Sequence, residues 1–174
     1  LGEIALLRIL ILNENDGLFK RYVFRMGYRW FSLDIENNIA FFASGGGFVP
    51  HSIESESIVW LSDYFKSLPE IKDNELFVNP RLSDIFKLDT DWQMDSYLRD
   101  FIFMAKRGIY AYDKTKVGEM LDPFYHLVVT PSIKLSVHDL PENVFNEVQK
   151  TRYSTAFKDI TVLDVNTFND EYKI

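Results

Sequence analysis

The chain has 174 residues, 47% of them hydrophobic, 16% aromatic and 26% charged, with no cysteine and a formal net charge of −7. That length suits one domain with a real core, and that apolar content excludes a disordered chain. The missing thiols exclude a disulfide scaffold, Cys-ligated zinc, iron–sulfur clusters and thiol catalysis, while the acidic balance argues against non-specific binding to nucleic acid or anionic lipid.

Residues 4–12 form an apolar run interrupted by Arg8. It is far shorter than the roughly 20 residues a membrane-spanning helix needs, and neither a basic leader nor a small-residue cleavage site frames it. The sequence starts at Leu1, so residues 1–12 are read as a peripheral or non-native N-terminal segment. Tyr22, Phe24 and Met26 then alternate with Arg21, Val23 and Arg25, the period of a half-exposed strand. Aromatic-rich residues 28–33 predict a second strand. Asp34-Ile35-Glu36-Asn37-Asn38 predicts a turn, since Asp and Asn bond their own backbone and tolerate left-handed conformations. Residues 39–43 return as an apolar strand, closing a hairpin.

Gly45-Gly46-Gly47 and Pro50 break that pattern. A helix follows over 55–68, with Ile58, Leu61, Phe65 and Leu68 at helical spacing and Pro69 as its stop. Residues 70–88, with Pro80, read as a loop holding at most one short element. The clearest helix spans 91–107. Thr90 and Gln93 make a capping box, Met94, Tyr97, Leu98, Phe101, Ile102 and Ala105 make an apolar stripe, and Gly108 suits the C-terminal cap. Strands are expected at 109–112 and 124–130, a third helix after Asp139-Leu140-Pro141-Glu142, and a last strand at 160–165. Strands and helices do not alternate strictly, and no repeat or flexible linker is present. The expected fold is therefore α+β: a single domain over 1–174, an antiparallel sheet with about three helices packed on it.

Charge is uneven along the chain. Residues 54–100 hold eleven acids against five bases, a balance of −6 out of the total −7. Glu54, Glu56, Asp63, Asp89, Asp91 and Asp95 are the candidate partner-binding residues, because such a surface steers a basic protein toward it. The plainer account is a solvated helical face whose acids sit at helix N-termini. Trp60 and Trp92 are interface anchors if exposed, and Trp92 is placed in the core beside its helix's apolar stripe.

No arrangement for chemistry is complete. The triple glycine lacks the G-x-x-x-x-G-K-[ST] spacing of a phosphate loop and reads as a turn, or as a point where another backbone approaches closely. His51 and Glu54 stand three apart and could serve an acid–base or small-ligand site with that turn, but no second ligand pair accompanies them. His126 lies in an apolar run, where an imidazole is usually structural. Asp89-Thr90-Asp91 with Asp95 fails as a calcium loop, since Met94 stands where glycine is required. Lys20, Arg21, Arg25 and Arg29 interleave with aromatics as in a single-strand-binding sheet, in a chain of the wrong overall charge. Catalytic residues, cofactors and metals are therefore not assigned.

Trp30-Phe31-Ser32-Leu33-Asp34, then Ile39-Ala40-Phe41-Phe42-Ala43-Ser44-Gly45-Gly46-Gly47-Phe48-Val49-Pro50, resembles the opening hairpin of a loose group of small bacterial proteins. Gly108-Ile109-Tyr110-Ala111-Tyr112-Asp113, Tyr125-His126-Leu127-Val128-Val129 before Pro131, and Asp139-Leu140-Pro141 continue the similarity over residues 28–150. Many members are immunity proteins that neutralise polymorphic toxins by binding them. Taken with the acidic segment, the net negative charge and the absence of cysteine, the resemblance implies a cytoplasmic, non-catalytic protein whose partner is a basic toxin domain, with neither nucleic acid nor membrane involved. The alternative is an enzyme or small-ligand-binding protein with its site at Gly45-Gly46-Gly47 and His51/Glu54. Assembly into homo-oligomers through an aromatic sheet face stays open.

Overall fold

The computed structural model describes residues 27–47, 49–119 and 121–169. The strand expected at 21–26 and the segment 1–12 lie outside these. The expected hairpin is present as β1 (Arg29–Leu33) and β2 (Ile39–Ala43), antiparallel with Phe31 opposite Phe41. Its turn is set by Asp34, whose Oδ1 accepts the backbone N–H groups of Glu36 (2.9 Å) and Asn38 (2.7 Å), and by Asn37 at φ 61°. Helix α1 (Ser55–Ser67) follows.

The region read as a loop holds two short elements, β3 (Leu76–Val78) and the one-turn helix α2 (Leu82–Ile85). Neither had enough residues to display a period. Helix α3 (Asp91–Ala105) carries the expected capping box: the Gln93 N–H donates to Thr90 Oγ1 (3.2 Å), and Gln93 Oε1 accepts the Thr90 N–H (3.1 Å). Thr90→Ala is expected to cost about 1 kcal/mol, read as a lower urea midpoint with an unchanged slope. After α3 the chain reverses at Gly108 (φ +81°), where a Cβ would stand 2.3 Å from the backbone nitrogen of Leu135.

Strands β4 (Tyr110–Lys114) and β5 (Phe124–Pro131), helix α4 (Glu142–Val148) and strand β6 (Val162–Asp164) complete the described elements, with three short 3-10 turns. The sheet order is β1-β2-β4-β5, and both β3 and β6 pair with the outer edge of β5. The fold is α+β, but two expectations need correction. The sheet is mixed, because β2 and β4 run parallel (Ala40 opposite Tyr110), and the described residues form four α-helices. Parallel pairing requires a long crossover, and the whole stretch from α1 to α3 supplies it. Sequence alternation reports which residues face inward, not the direction of the neighbouring strand.

The sequence left open whether one sheet face or both are buried; the structure buries both. Phe31, Leu33, Phe41 and Ala111 pack under α1, α3 and α4. Trp30, Phe42, Tyr112 and Tyr125 face the other way and are covered by the C-terminal segment through Phe157, Leu163 and Phe168. Trp30 stacks on Phe42 with ring centroids 3.9 Å apart, and such ring pairs add about 1 kcal/mol beyond their area. An irregularity between β4 and β5 inserts Val128, so that Val128 and Val129 both enter the helical-side core.

Candidate functional site

The six candidate acids fall into two groups on the helical side. Glu54, Glu56 and Asp63 belong to α1 and its start, while Asp89, Asp91 and Asp95 surround the first turn of α3; all six are exposed. Glu54 is engaged by Lys150 (3.1 Å), which also holds Glu147 (2.9 Å); these two bonds, Glu147 foremost, raise the Lys150 pKa. The other five make no ion pair among the described residues. Arg29, Lys66 and Asp100 line a cleft of about 220 Å³ that runs between α1 and α3, with Arg29 ion-paired to Asp100. Bases thus divide the two acidic groups along that seam.

Trp92 is 75% exposed, which corrects its expected place in the core. It precedes Met94 by two residues, about 200° around the helix, and so stands on the side away from the stripe that packs. Trp60 is 37% exposed beside the exposed Val59. The stripe itself is as expected, with Leu98, Phe101 and Ala105 buried, and Met104 joins it.

A second and larger cleft, about 420 Å³, opens at the carboxyl ends of the parallel strands β2 and β4, roofed by α3. Ala43, Ser44 and Gly45 contribute from the end of β2, Asp113 from β4, and Tyr97 and Arg99 from α3. Asp113 is buried. Its Oδ2 accepts from the Tyr97 hydroxyl (3.1 Å) and its Oδ1 from the Lys114 backbone N–H (2.8 Å). Burial pushes its pKa up to about 6, and these two hydrogen bonds only partly counter that. Behind Tyr97 lies His126, fully buried, its Nε2 3.1 Å from the same hydroxyl and its ring against Phe86. Burial lowers the His126 pKa to about 4 and raises that of Tyr97, so both are neutral at pH 7. The Tyr97 hydroxyl has a single proton. When it donates that proton to ionised Asp113, His126 Nε2 must carry its own hydrogen and donate to Tyr97, leaving Nδ1 as an acceptor with no partner among the described residues.

No protein-family model matches this chain, and neither a curated protein nor a solved structure does. Among the described residues, no three His, Asp or Glu side chains converge as metal ligands. No described helix is long and apolar enough to cross a membrane.

The triple glycine is a turn, as expected: Gly45 and Gly46 have positive φ, and the Gly47 N–H donates to the Ser44 carbonyl (2.7 Å). What approaches closely there is a side chain rather than a backbone. A Cβ on Gly47 would lie 2.2 Å from Cε of the buried Lys114, which bonds the Asp122 carbonyl and lies 3.6 Å from its carboxylate. Gly45 lines the larger cleft, but His51 and Glu54 do not, and Glu54 is turned to Lys150. His126 has the structural setting its apolar run suggested. Sequence reasoning missed Asp113 and took Tyr97 only as part of an apolar stripe. One signal was legible: Asp113 shares the parity of Ala111, placing a carboxylate on the inward side of a buried strand.

Proposed function

We propose that this chain is a non-catalytic, cytoplasmic protein-binding domain of the immunity type, whose acidic helical surface docks a basic toxin domain and covers its active site. The observation that carries the reading is Trp92, 75% exposed at the start of α3 and flanked by Asp89, Asp91 and Asp95, none of them in an ion pair among the described residues. Leaving a large indole in water has no stabilising return for the fold, whereas exposed Trp is the residue type most enriched at interface hot spots. Carboxylates without intramolecular partners keep their full field for a cationic partner. Trp60 and Val59 on α1 extend the same kind of surface across the seam.

The test asks whether a toxin-like gene adjoins this one and then follows association with its product by stopped flow at low and high salt. Asp63→Lys, Asp89→Lys and Asp95→Lys together should slow association by roughly 10- to 100-fold at low salt, with little effect at high salt. Glu56 and Asp91 are left intact because they complement the helix dipoles in the first turns of α1 and α3. The melting temperature should move little, since these three acids make no ion pair among the described residues. Trp92→Ala should instead speed dissociation by tenfold or more, about 1.4 kcal/mol or above. Unchanged kinetics in both variants would remove this surface from the interface.

A further inference from the structure

The larger cleft contains an electrostatic mismatch that the described residues do not resolve. Asp113 is a buried carboxylate whose two hydrogen bonds come from a neutral hydroxyl and a backbone amide, and it forms no ion pair among the described residues. An ionised carboxylate held away from water is unfavourable unless a cation reaches it, and this one borders an open volume. Each of its oxygens accepts one bond from the protein, leaving lone pairs for a further donor.

Phe41, Tyr97 and Phe101 line the same volume and give its wall an apolar, aromatic character that suits an organic cation or an apolar group. The wall also carries Arg99, exposed and without an ion pair among the described residues, while Arg29 is engaged by Asp100. A simple anion in the cleft would meet the uncompensated Asp113, and a simple cation would meet Arg99. A molecule bearing both charges satisfies both. About 420 Å³ lies in the lower part of the range for small-molecule sites, roughly 300–1,000 Å³.

We propose that this cleft is a receptor site for a small zwitterion of the amino-acid class, its ammonium bound by Asp113, its carboxylate by Arg99 and its side chain against Phe41 and Phe101. Ser96, whose hydroxyl makes no hydrogen bond among the described residues, adds a donor on the same wall. The site begins one helical turn from Trp92, at Ser96, but the proposal does not depend on the partner-binding reading.

Calorimetry on the full chain with each of the twenty L-amino acids tests the proposal, followed by the N-acetyl and amide derivatives of the tightest binder. At least one amino acid should bind with a Kd below about 1 mM, and loss of either ligand charge should weaken it about tenfold or more. Arg99→Ala should weaken the parent amino acid about tenfold while leaving its amide unchanged, because the lost contact is absent from that complex. Asp113→Asn should abolish binding at pH 7. Should that variant fold poorly, the Arg99→Ala comparison decides alone, since Arg99 is exposed. Absence of saturable binding by any amino acid at millimolar concentration, or binding indifferent to N-acetylation and amidation, overturns the proposal. No partner protein enters the measurement, so its failure leaves the interface reading untouched.

Discussion

Asp34→Ala is expected to cost about 4 kcal/mol, the largest loss foreseen for a single polar substitution in this protein. The buried Asp34 carboxylate accepts four hydrogen bonds: Glu36 N–H (2.9 Å) and Asn38 N–H (2.7 Å) at Oδ1, Asn38 Nδ2 (2.8 Å) and Phe157 N–H (2.8 Å) at Oδ2. It closes the β1–β2 turn and ties that turn to the segment covering the second sheet face. Alanine would leave four donors without their acceptor. Asparagine has the right size, but whichever way its amide is turned, its NH₂ faces one pair of donors, so Asp34→Asn should recover only part of the loss. Urea unfolding measures both, and the alanine variant should melt roughly 10 °C lower. A cost under about 1 kcal/mol would mean that the turn and the C-terminal segment hold together without this carboxylate.

Asp113→Asn is expected to change the pH dependence of stability as well as its size. Folded Asp113 has its pKa raised from 3.8 to about 6, so between these values the folded chain keeps a proton that the unfolded chain has released. Its contribution to stability is therefore lost as pH rises through that window. His126 acts in the opposite sense. Its pKa falls from 6.5 to about 4, so the unfolded chain binds a proton that the folded chain refuses, and stability is lost as pH falls from 6.5 toward 4. The two slopes largely cancel in the native protein. With Asp113 replaced, only the His126 slope remains, and stability should fall by about 3 kcal/mol from neutral pH to about pH 4. At pH 7 the variant should be about 1–3 kcal/mol more stable than the native protein, because a buried charge with no ion pair among the described residues has gone. The amide oxygen accepts the Lys114 N–H and the amide NH₂ donates to the Tyr97 hydroxyl, which turns its own proton to His126 Nε2. Denaturant titrations across this range read both effects. A native-like flat profile in the variant would disprove the compensation of one slope by the other.

Local chemistry made much of the fold legible. The β1–β2 hairpin, the capping box of α3 and the stop of α1 before Pro69 each depend on residues adjacent in the chain, and each stands where the sequence placed it. Elements too short for a period were not legible, which is why β3 and α2 passed for loop. Trp92 shows a different limit: its neighbours in sequence are core residues, but the helix turns it away from them. The acids predicted as a surface are exposed, yet their division by Arg29 and Lys66 was hidden, because those bases come from residues far apart in the chain. The cleft was equally hidden, since it joins the end of β2, the end of β4 and one face of α3.

Composition, periodicity and capping residues determined that this chain forms mixed helices and strands around an aromatic core, and that its negative charge resides in residues 54–100. Those properties are summed over neighbours or over the whole chain, so no long-range contact is needed to fix them. Tertiary structure alone decided that β2 and β4 run parallel, that both sheet faces are buried, and that Asp113 meets no cation among the described residues at the edge of an open cleft. Pairing direction and the balance of charge at a site are set by groups brought together from distant parts of the chain, and local sequence pattern carries no record of which groups those will be.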